Sequence, residues 1–180
     1  MRRFMRSQSS SFVCTRGKIM STSAHAQKVK QTWDVKKMQE AAVKMSAHRI
    51  VGRLHFMEKH PGKEVDEMEN VSAICKAEMM KKCGVKTPMD LVKHIADFEV
   101  NMFGTEASIE GEEKHAIMVT EKSTVWLEAI KLGKMTKEQE ALMQTHYRQW
   151  IDSLAKAFDF KAKLEITKDG HSSKITFSQK

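Results

Sequence analysis

Apolar positions recur every three to five residues through the first half of the chain, which is the spacing of amphipathic helices. Three helices are predicted there, over residues 26–59, 64–83 and 88–103. The first ends at His60-Pro61-Gly62, and the second ends at Gly84, where a left-handed cap belongs. Thr87-Pro88 supplies a capping hydroxyl and a first-turn proline to the third helix, and Gly104 follows it.

The apolar residues of each predicted helix are expected to form a buried stripe, because residues three or four apart share a helix face. On the second helix the predicted stripe consists of Val65, Met68, Val71, Cys75 and Met79. On the third helix it consists of Leu91, Ile95, Phe98 and Met102.

The spacing changes after Gly104, where short stretches alternate between apolar and polar residues, as strands do. Strands are predicted over 106–110, 114–121, 161–167 and 173–177, and helices over 123–132 and 136–158. Turns rich in glycine and acidic residues separate the strands of each pair. Thr136 and Gln139 form a capping box at the start of the second of these helices.

The predicted order ααα-ββ-αα-ββ indicates an α+β fold. Two hairpins separated by a helical pair can form one four-stranded antiparallel sheet with helices on one face. We therefore predict a single α+β domain over residues 25–180. It has a helical part at 25–103 and a ββααββ part at 104–180, and a disordered basic tail at 1–24 precedes it.

Charge is unevenly distributed, which changes what the net charge of +8 implies. Residues 1–20 hold five basic residues and no acid, so subtracting five leaves +3 for residues 21–180. Aromatic residues are not interleaved with the basic ones, and we expect no nucleic-acid partner. Apolar runs are far shorter than the roughly 20 residues that a membrane-spanning helix needs, so no membrane partner is expected.

The basic tail and the cysteine pattern indicate the cellular compartment of the protein. Three interpretations of the tail are open. It has the composition of a mitochondrial presequence, it can be a plain disordered segment, or translation can begin at Met20 instead of Met1. The three cysteines, Cys14, Cys75 and Cys83, form no CxxC pair and no zinc-type spacing with histidine. A reducing compartment is expected, so the protein is predicted to be cytoplasmic, with the mitochondrial matrix as the alternative. No metal and no cofactor are predicted.

The second half of the chain carries a resemblance in its layout. A strand at 115–120 leads into Ser123-Thr124-Val125-Trp126, a helix follows with His146–Trp150, and a hairpin closes at Asp169–Ile175. This layout resembles the L-2-amino-thiazoline-4-carboxylic acid hydrolases and the related 4-vinyl-reductase-type small-molecule-binding domain. The cysteines expected near Ser123, Tyr147 and Ser173 are absent here. The resemblance implies a small-molecule site, with a route to hydrolysis that does not use those thiols.

Aromatic and methionine side chains of the second half are the candidate ligand-binding residues. If the two later helices cover the sheet, these side chains can line an apolar pocket between helices and sheet. The alternative is that they belong to an ordinary core. The candidates are Trp126, Trp150, Tyr147, Met118, Met143 and Phe103.

Two histidines are the candidate catalytic residues. His115 begins a predicted strand and His146 lies on the last helix, so both can face the gap between sheet and helices. Together with Glu128 they would form a general base and an orienting acid. The alternative is that His146 is a half-buried packing residue with one hydrogen bond.

Three functions follow from these candidates. The first is a binding domain for a small apolar or aromatic molecule. The second is a cofactor-independent, hydrolase-like enzyme that uses histidine and carboxylate. The third is a structural or interaction protein, with the first helix as the seam of a homodimer.

Overall fold

The computed structural model describes residues 33–60, 62–167 and 171–180, and the predicted tail at 1–24 lies outside them. Five helices and four strands follow one another along this part of the chain. They are α1 (Val35–Lys59), α2 (Lys63–Lys82), α3 (Pro88–Phe103), β1 (Glu106–Glu112), β2 (His115–Lys122), α4 (Thr124–Gly133), α5 (Lys137–Ala157), β3 (Phe160–Ile166) and β4 (Ser173–Gln179). The predicted α+β fold is confirmed.

The strands form one antiparallel sheet in the order β1-β2-β4-β3. The two hairpins therefore lie side by side, with β4 paired to both β2 and β3. On β2, Ala116, Met118 and Thr120 are buried and alternate with more exposed neighbours, so one face of the sheet is covered. Over the described residues, no helix is long and apolar enough to cross a membrane.

Local side-chain chemistry sets several helix ends. The Thr87 hydroxyl accepts a hydrogen bond from the Asp90 amide at 3.1 Å, and the Asp90 carboxylate accepts one from the Thr87 amide at 3.0 Å. Thr136 and Gln139 form the same reciprocal pair at the start of α5. Gly104 ends α3 in the left-handed conformation, with φ of 62°.

The turn between β1 and β2 requires a glycine. Gly111 has φ of 117°, and a Cβ at this position would lie 2.3 Å from the carbonyl oxygen of His115. Any side chain at this position would clash with the backbone of the neighbouring strand.

The helices are layered on the covered face of the sheet. α3 and α5 contact the strands directly, α2 packs along α5, and α1 packs against α4 and α3. Buried residues form two clusters. One lies between the sheet, α2, α3 and α5 around Phe177 and Leu154, and the other lies between α1, α4 and the start of α5 around Leu54 and Ala129.

Candidate functional site

A cavity of about 430 Å³ lies between the sheet and the helices. Its volume is within the range of small-molecule sites in proteins. All five helices and the strands β2, β3 and β4 contribute side chains to its wall. All six candidate ligand-binding residues line it, namely Trp126, Trp150, Tyr147, Met118, Met143 and Phe103.

α5 supplies one complete face of the cavity wall. Met143, His146, Tyr147 and Trp150 follow the i, i+3, i+4, i+7 spacing, so they point in the same direction from the helix. The neighbouring stripe of α5 is buried in the core instead, and Leu154 is 0% exposed there. The rings of Tyr147 and Trp150 lie nearly parallel, at an interplanar angle of 11°.

Phe103 and Trp126 reach the cavity from two helix ends that are tied together. The Thr124 hydroxyl, in the first turn of α4, donates a hydrogen bond to the Phe103 carbonyl at the end of α3, at 2.9 Å. Ser123 caps α4 by accepting from the Trp126 amide at 3.4 Å. The first contact joins the end of α3, which carries Phe103, to the start of α4, which carries Trp126.

Two acidic groups of the wall are held in environments that disfavour their charge. Burial raises the pKa of the Glu99 carboxyl, and a hydrogen bond from the Thr105 hydroxyl at 3.3 Å partly opposes this. Burial of the hydroxyl and the negative charge of Glu99 both raise the pKa of Tyr147. The whole Tyr147 residue is nevertheless 40% exposed, because its ring faces the open cavity.

We expect Glu99→Gln to stabilise the protein at neutral pH by about 1 kcal/mol. The pKa of Glu99 in the folded protein is raised above its ordinary value of 4.5. As the pH rises past 4.5, the folded state therefore keeps the Glu99 proton more often than the unfolded state does. The free energy of unfolding therefore falls with pH across this window. Urea denaturation of the variant between pH 4 and 8 should show a flatter profile than the parent.

Glu110→Gln, at an exposed position on β1, is the control for removal of a carboxylate. Its free energy of unfolding at neutral pH should stay within about 0.5 kcal/mol of the parent, as is usual for an exposed substitution. An unchanged slope in Glu99→Gln would contradict the assignment of a destabilising charge to Glu99.

An ion pair joins the two helices that flank the opposite side of the cavity. The Arg53 guanidinium on α1 pairs with the Glu69 carboxylate on α2, and Glu69 is only 1% exposed. Burial lowers the pKa of Arg53, which still stays protonated at neutral pH. The two helices also share a buried apolar cluster, to which α1 contributes Leu54 and Met57 and α2 contributes Val65.

His146 lies in the cavity wall, with an environment that favours the neutral imidazole. Burial lowers the pKa of His146, the charge of Asp66 opposes the shift, and Arg53 adds to it. A side-chain interaction with Gln149 also opposes the shift, and it is the smallest of these effects. A neutral imidazole of this kind can accept a proton or donate one hydrogen bond to a bound molecule.

The structure does not bring the other two candidate catalytic residues to the cavity. His115 is exposed at the start of β2, where it pairs with Ser178, and its side chain alternates with the buried Ala116. Glu128 is half-buried on α4 and is not part of the cavity wall. Of the three candidates, only His146 lines the cavity.

Sequence reasoning missed the contribution of α1 to the site. Ser46, Arg49, Ile50 and Arg53 line the cavity at the i, i+3, i+4, i+7 spacing. The spacing could have predicted this contribution. Two arginines lie one turn apart on one face of the predicted helix, next to the apolar residue Ile50. Glu69 was also missed, because the partner that permits its burial lies on a different helix.

Comparisons with known proteins yield little for this chain. No protein-family model matches it, and no curated protein matches it. Among solved structures, it is similar to the crystal structure of a mutant Fe(II) unliganded H-NOX protein from K. algicida. The identity is 12%, 77% of this chain and 96% of that chain are covered, and the TM-score is 0.33. A TM-score this low does not establish a shared fold.

Proposed function

We propose that this protein binds a small, predominantly apolar or aromatic molecule in the cavity between its sheet and its helices. The observation that carries the proposal is the cavity itself, about 430 Å³ in volume and walled by aromatic and methionine side chains. Binding sites for small molecules combine such walls with a few polar groups that orient the ligand.

Buried polar atoms without partners in the wall indicate that the cavity is a binding site rather than a gap left by incomplete packing of the core. Arg53 Nε and Trp126 Nε1 have no hydrogen-bond partner among the described residues. Leaving such an atom unpaired costs about 1–3 kcal/mol, so native proteins rarely do so without a reason. A bound molecule that pairs with them would recover this cost.

The chain provides its own optical reporters for a binding test. Of the three tryptophans, Trp126 and Trp150 line the cavity and Trp33 does not. In a Trp33→Phe background, all indole emission therefore comes from the cavity wall. We expect saturable changes in this emission when the neutral apolar probe N-phenyl-1-naphthylamine is added, as energy passes from indole to probe.

A blocking variant tests whether the probe occupies the cavity. Ser173 lines the cavity on β4, opposite Thr120 of β2, so Ser173→Phe places a ring inside the volume. We expect it to weaken probe binding at least about tenfold. Ser178→Phe, on the same strand but outside the cavity, is the matched control and should bind like the parent. Equal probe affinity in both variants would refute binding in this cavity.

Native mass spectrometry of the protein purified from its own host, with no ligand added, addresses the natural ligand. A mass excess of a small molecule on the folded protein would identify the ligand class. The bare chain mass in the parent, together with no probe binding in the fluorescence titration, would remove the support for the proposed function.

The second candidate function is a hydrolase-like activity, which the position of His146 in the cavity wall favours. His146 would act as the general base, since its imidazole is held neutral. Turnover of p-nitrophenyl acetate that disappears in His146→Gln, with the thermal midpoint unchanged, would support it. Turnover that persists in the variant would exclude His146 from that role.

The predicted homodimer stays a prediction that sedimentation equilibrium can check.

A further inference from the structure

The polar side of the cavity wall is richer in cations and hydrogen-bond donors than in acceptors. Among the charged lining residues, imidazoles apart, Arg49, Arg53 and Lys76 are cationic, and only Glu69 and Glu99 are acidic. Even with both carboxylates ionised, the wall therefore keeps an excess of one positive charge.

The cations differ in whether they already have a partner. Arg53 is paired with Glu69, and the Lys76 ammonium lies 4.7 Å from the centre of the Phe98 ring. Arg49 makes no ion pair or hydrogen bond with any residue in the described ranges. It stands one turn before Arg53 on the cavity face of α1, so its guanidinium is free to bind a ligand at the solvent-facing part of the wall.

Within the described part of the chain, two buried hydrogen-bond donors of this wall lack an acceptor. Arg53 Nε and Trp126 Nε1 can only donate a hydrogen bond, and both lack an acceptor among the described residues. Trp126 on α4 and Ile50 on α1 pack against the same cluster of buried residues, so the Trp126 donor belongs to the same region of the protein as the cations of α1. Apolar side chains such as Met118 and Phe103 form the remainder of the wall.

We propose that the ligand is an amphipathic monocarboxylic acid, with its carboxylate bound by Arg49 at the α1 wall and its hydrocarbon body in the apolar part of the cavity. This inference rests on the proposed function and adds the class of molecule. A single negative charge balances the excess charge of the wall, and a planar carboxylate suits the guanidinium fork. A phosphate monoester would bring nearly two charges to the same place.

The test compares ligands that share one hydrocarbon chain and differ in head group. Dodecanoic acid, dodecan-1-ol and dodecylamine are titrated against the Trp33→Phe protein, each by displacement of N-phenyl-1-naphthylamine. We expect the acid to bind at least about tenfold more tightly than the alcohol, because a charge-assisted hydrogen bond to arginine is roughly twice as strong as a neutral one. The amine should bind most weakly of the three.

Substitution of Arg49 assigns the preference to one side chain. Arg49→Gln should weaken acid binding about tenfold and leave alcohol binding unchanged, whereas Arg49→Lys should keep most of the preference for the acid. Lys44→Gln removes an exposed cation from the same helix outside the cavity wall and is the matched control. Thermal midpoints of all variants show whether folding is affected, and Arg49 is itself exposed.

The outcomes separate this inference from the function on which it rests. Equal binding of acid and alcohol, or an Arg49→Gln variant that keeps the acid preference, would overturn the carboxylate assignment while leaving a binding cavity. Tightest binding of the amine would overturn it in favour of a cationic ligand at Glu99. Failure of the parent protein to bind the neutral probe would instead count against the proposed function.

Discussion

Replacing Arg53 with Met is expected to lower the free energy of unfolding by about 3 kcal/mol or more at neutral pH. The cost does not come from the lost attraction alone. Glu69 is 1% exposed and would be left as an ionised carboxylate without its partner. The double variant Arg53→Met/Glu69→Met removes both charges, and we expect it to lie within about 1 kcal/mol of the parent. Urea denaturation followed by circular dichroism measures all three.

Two further measurements make the interpretation specific. At pH 4 the Glu69 carboxylate that has lost its partner can be protonated. The loss of unfolding free energy caused by Arg53→Met should therefore be smaller at pH 4 than at pH 8. Lys163→Met breaks the exposed pair with Glu165 on β3 and should change stability by less than about 1 kcal/mol. A double variant as unstable as the single one would show that Arg53 stabilises the fold by packing rather than by compensating Glu69.

Replacing Phe177 with Ala is expected to cost about 3–5 kcal/mol, which is a large part of the stability of an ordinary domain. Phe177 is 0% exposed at the centre of the sheet, between the small residues Ala116 and Ala162 on the flanking strands. Those alanines make the space that its ring fills. Truncation would leave a cavity that the paired strands on both sides cannot close.

The control for Phe177→Ala is Ser178→Ala on the same strand, which removes little buried surface and should cost less than about 1 kcal/mol. Phe177→Leu keeps most of the volume and should fall between the two. The midpoints of urea denaturation rank the three variants. A loss under 1 kcal/mol for Phe177→Ala would mean that the sheet and helices can close around the missing ring.

Elements with strong local signals could be predicted closely from the sequence. α3 begins at Pro88 and ends at Phe103 as expected, because Thr87, Asp90 and Gly104 fix its ends through contacts within a few residues. The strands of both hairpins were also found from their alternation, with every end within two residues of the observed one.

The predicted buried stripe of α2 was wrong. Met68, Val71 and Met79 are 39–53% exposed, whereas the buried positions after Val65 are Glu69, Ala73, Ala77 and Met80. Size and hydropathy favoured the larger side chains, but alanines let α2 lie close to α5. Cys75, which belongs to the same predicted stripe, is also exposed. Neither outcome could be derived from the spacing of one helix, because both depend on its neighbour.

The apolar residues of the cavity wall could be predicted from the sequence, whereas most of its charged residues could not. Met143, Tyr147 and Trp150 share a helix face through spacing alone, so their convergence on one cavity follows once α5 covers the sheet. The contributions of Arg49 and Glu99 depend on how α1 and α3 pack around the cavity, which local pattern does not specify. His115 failed to reach the site because its neighbour Ala116 takes the inward-facing position on β2.

The strand order β1-β2-β4-β3 has a consequence for synthesis on the ribosome. β1 and β2 leave the ribosome as a complete hairpin, but the other edge of β2 finds its partner only in β4, after α4, α5 and β3 have been made. At about 5–20 residues per second, the nascent hairpin therefore presents an open edge for seconds. Such an edge can pair with another chain, so this interval is when a chaperone would protect the protein most.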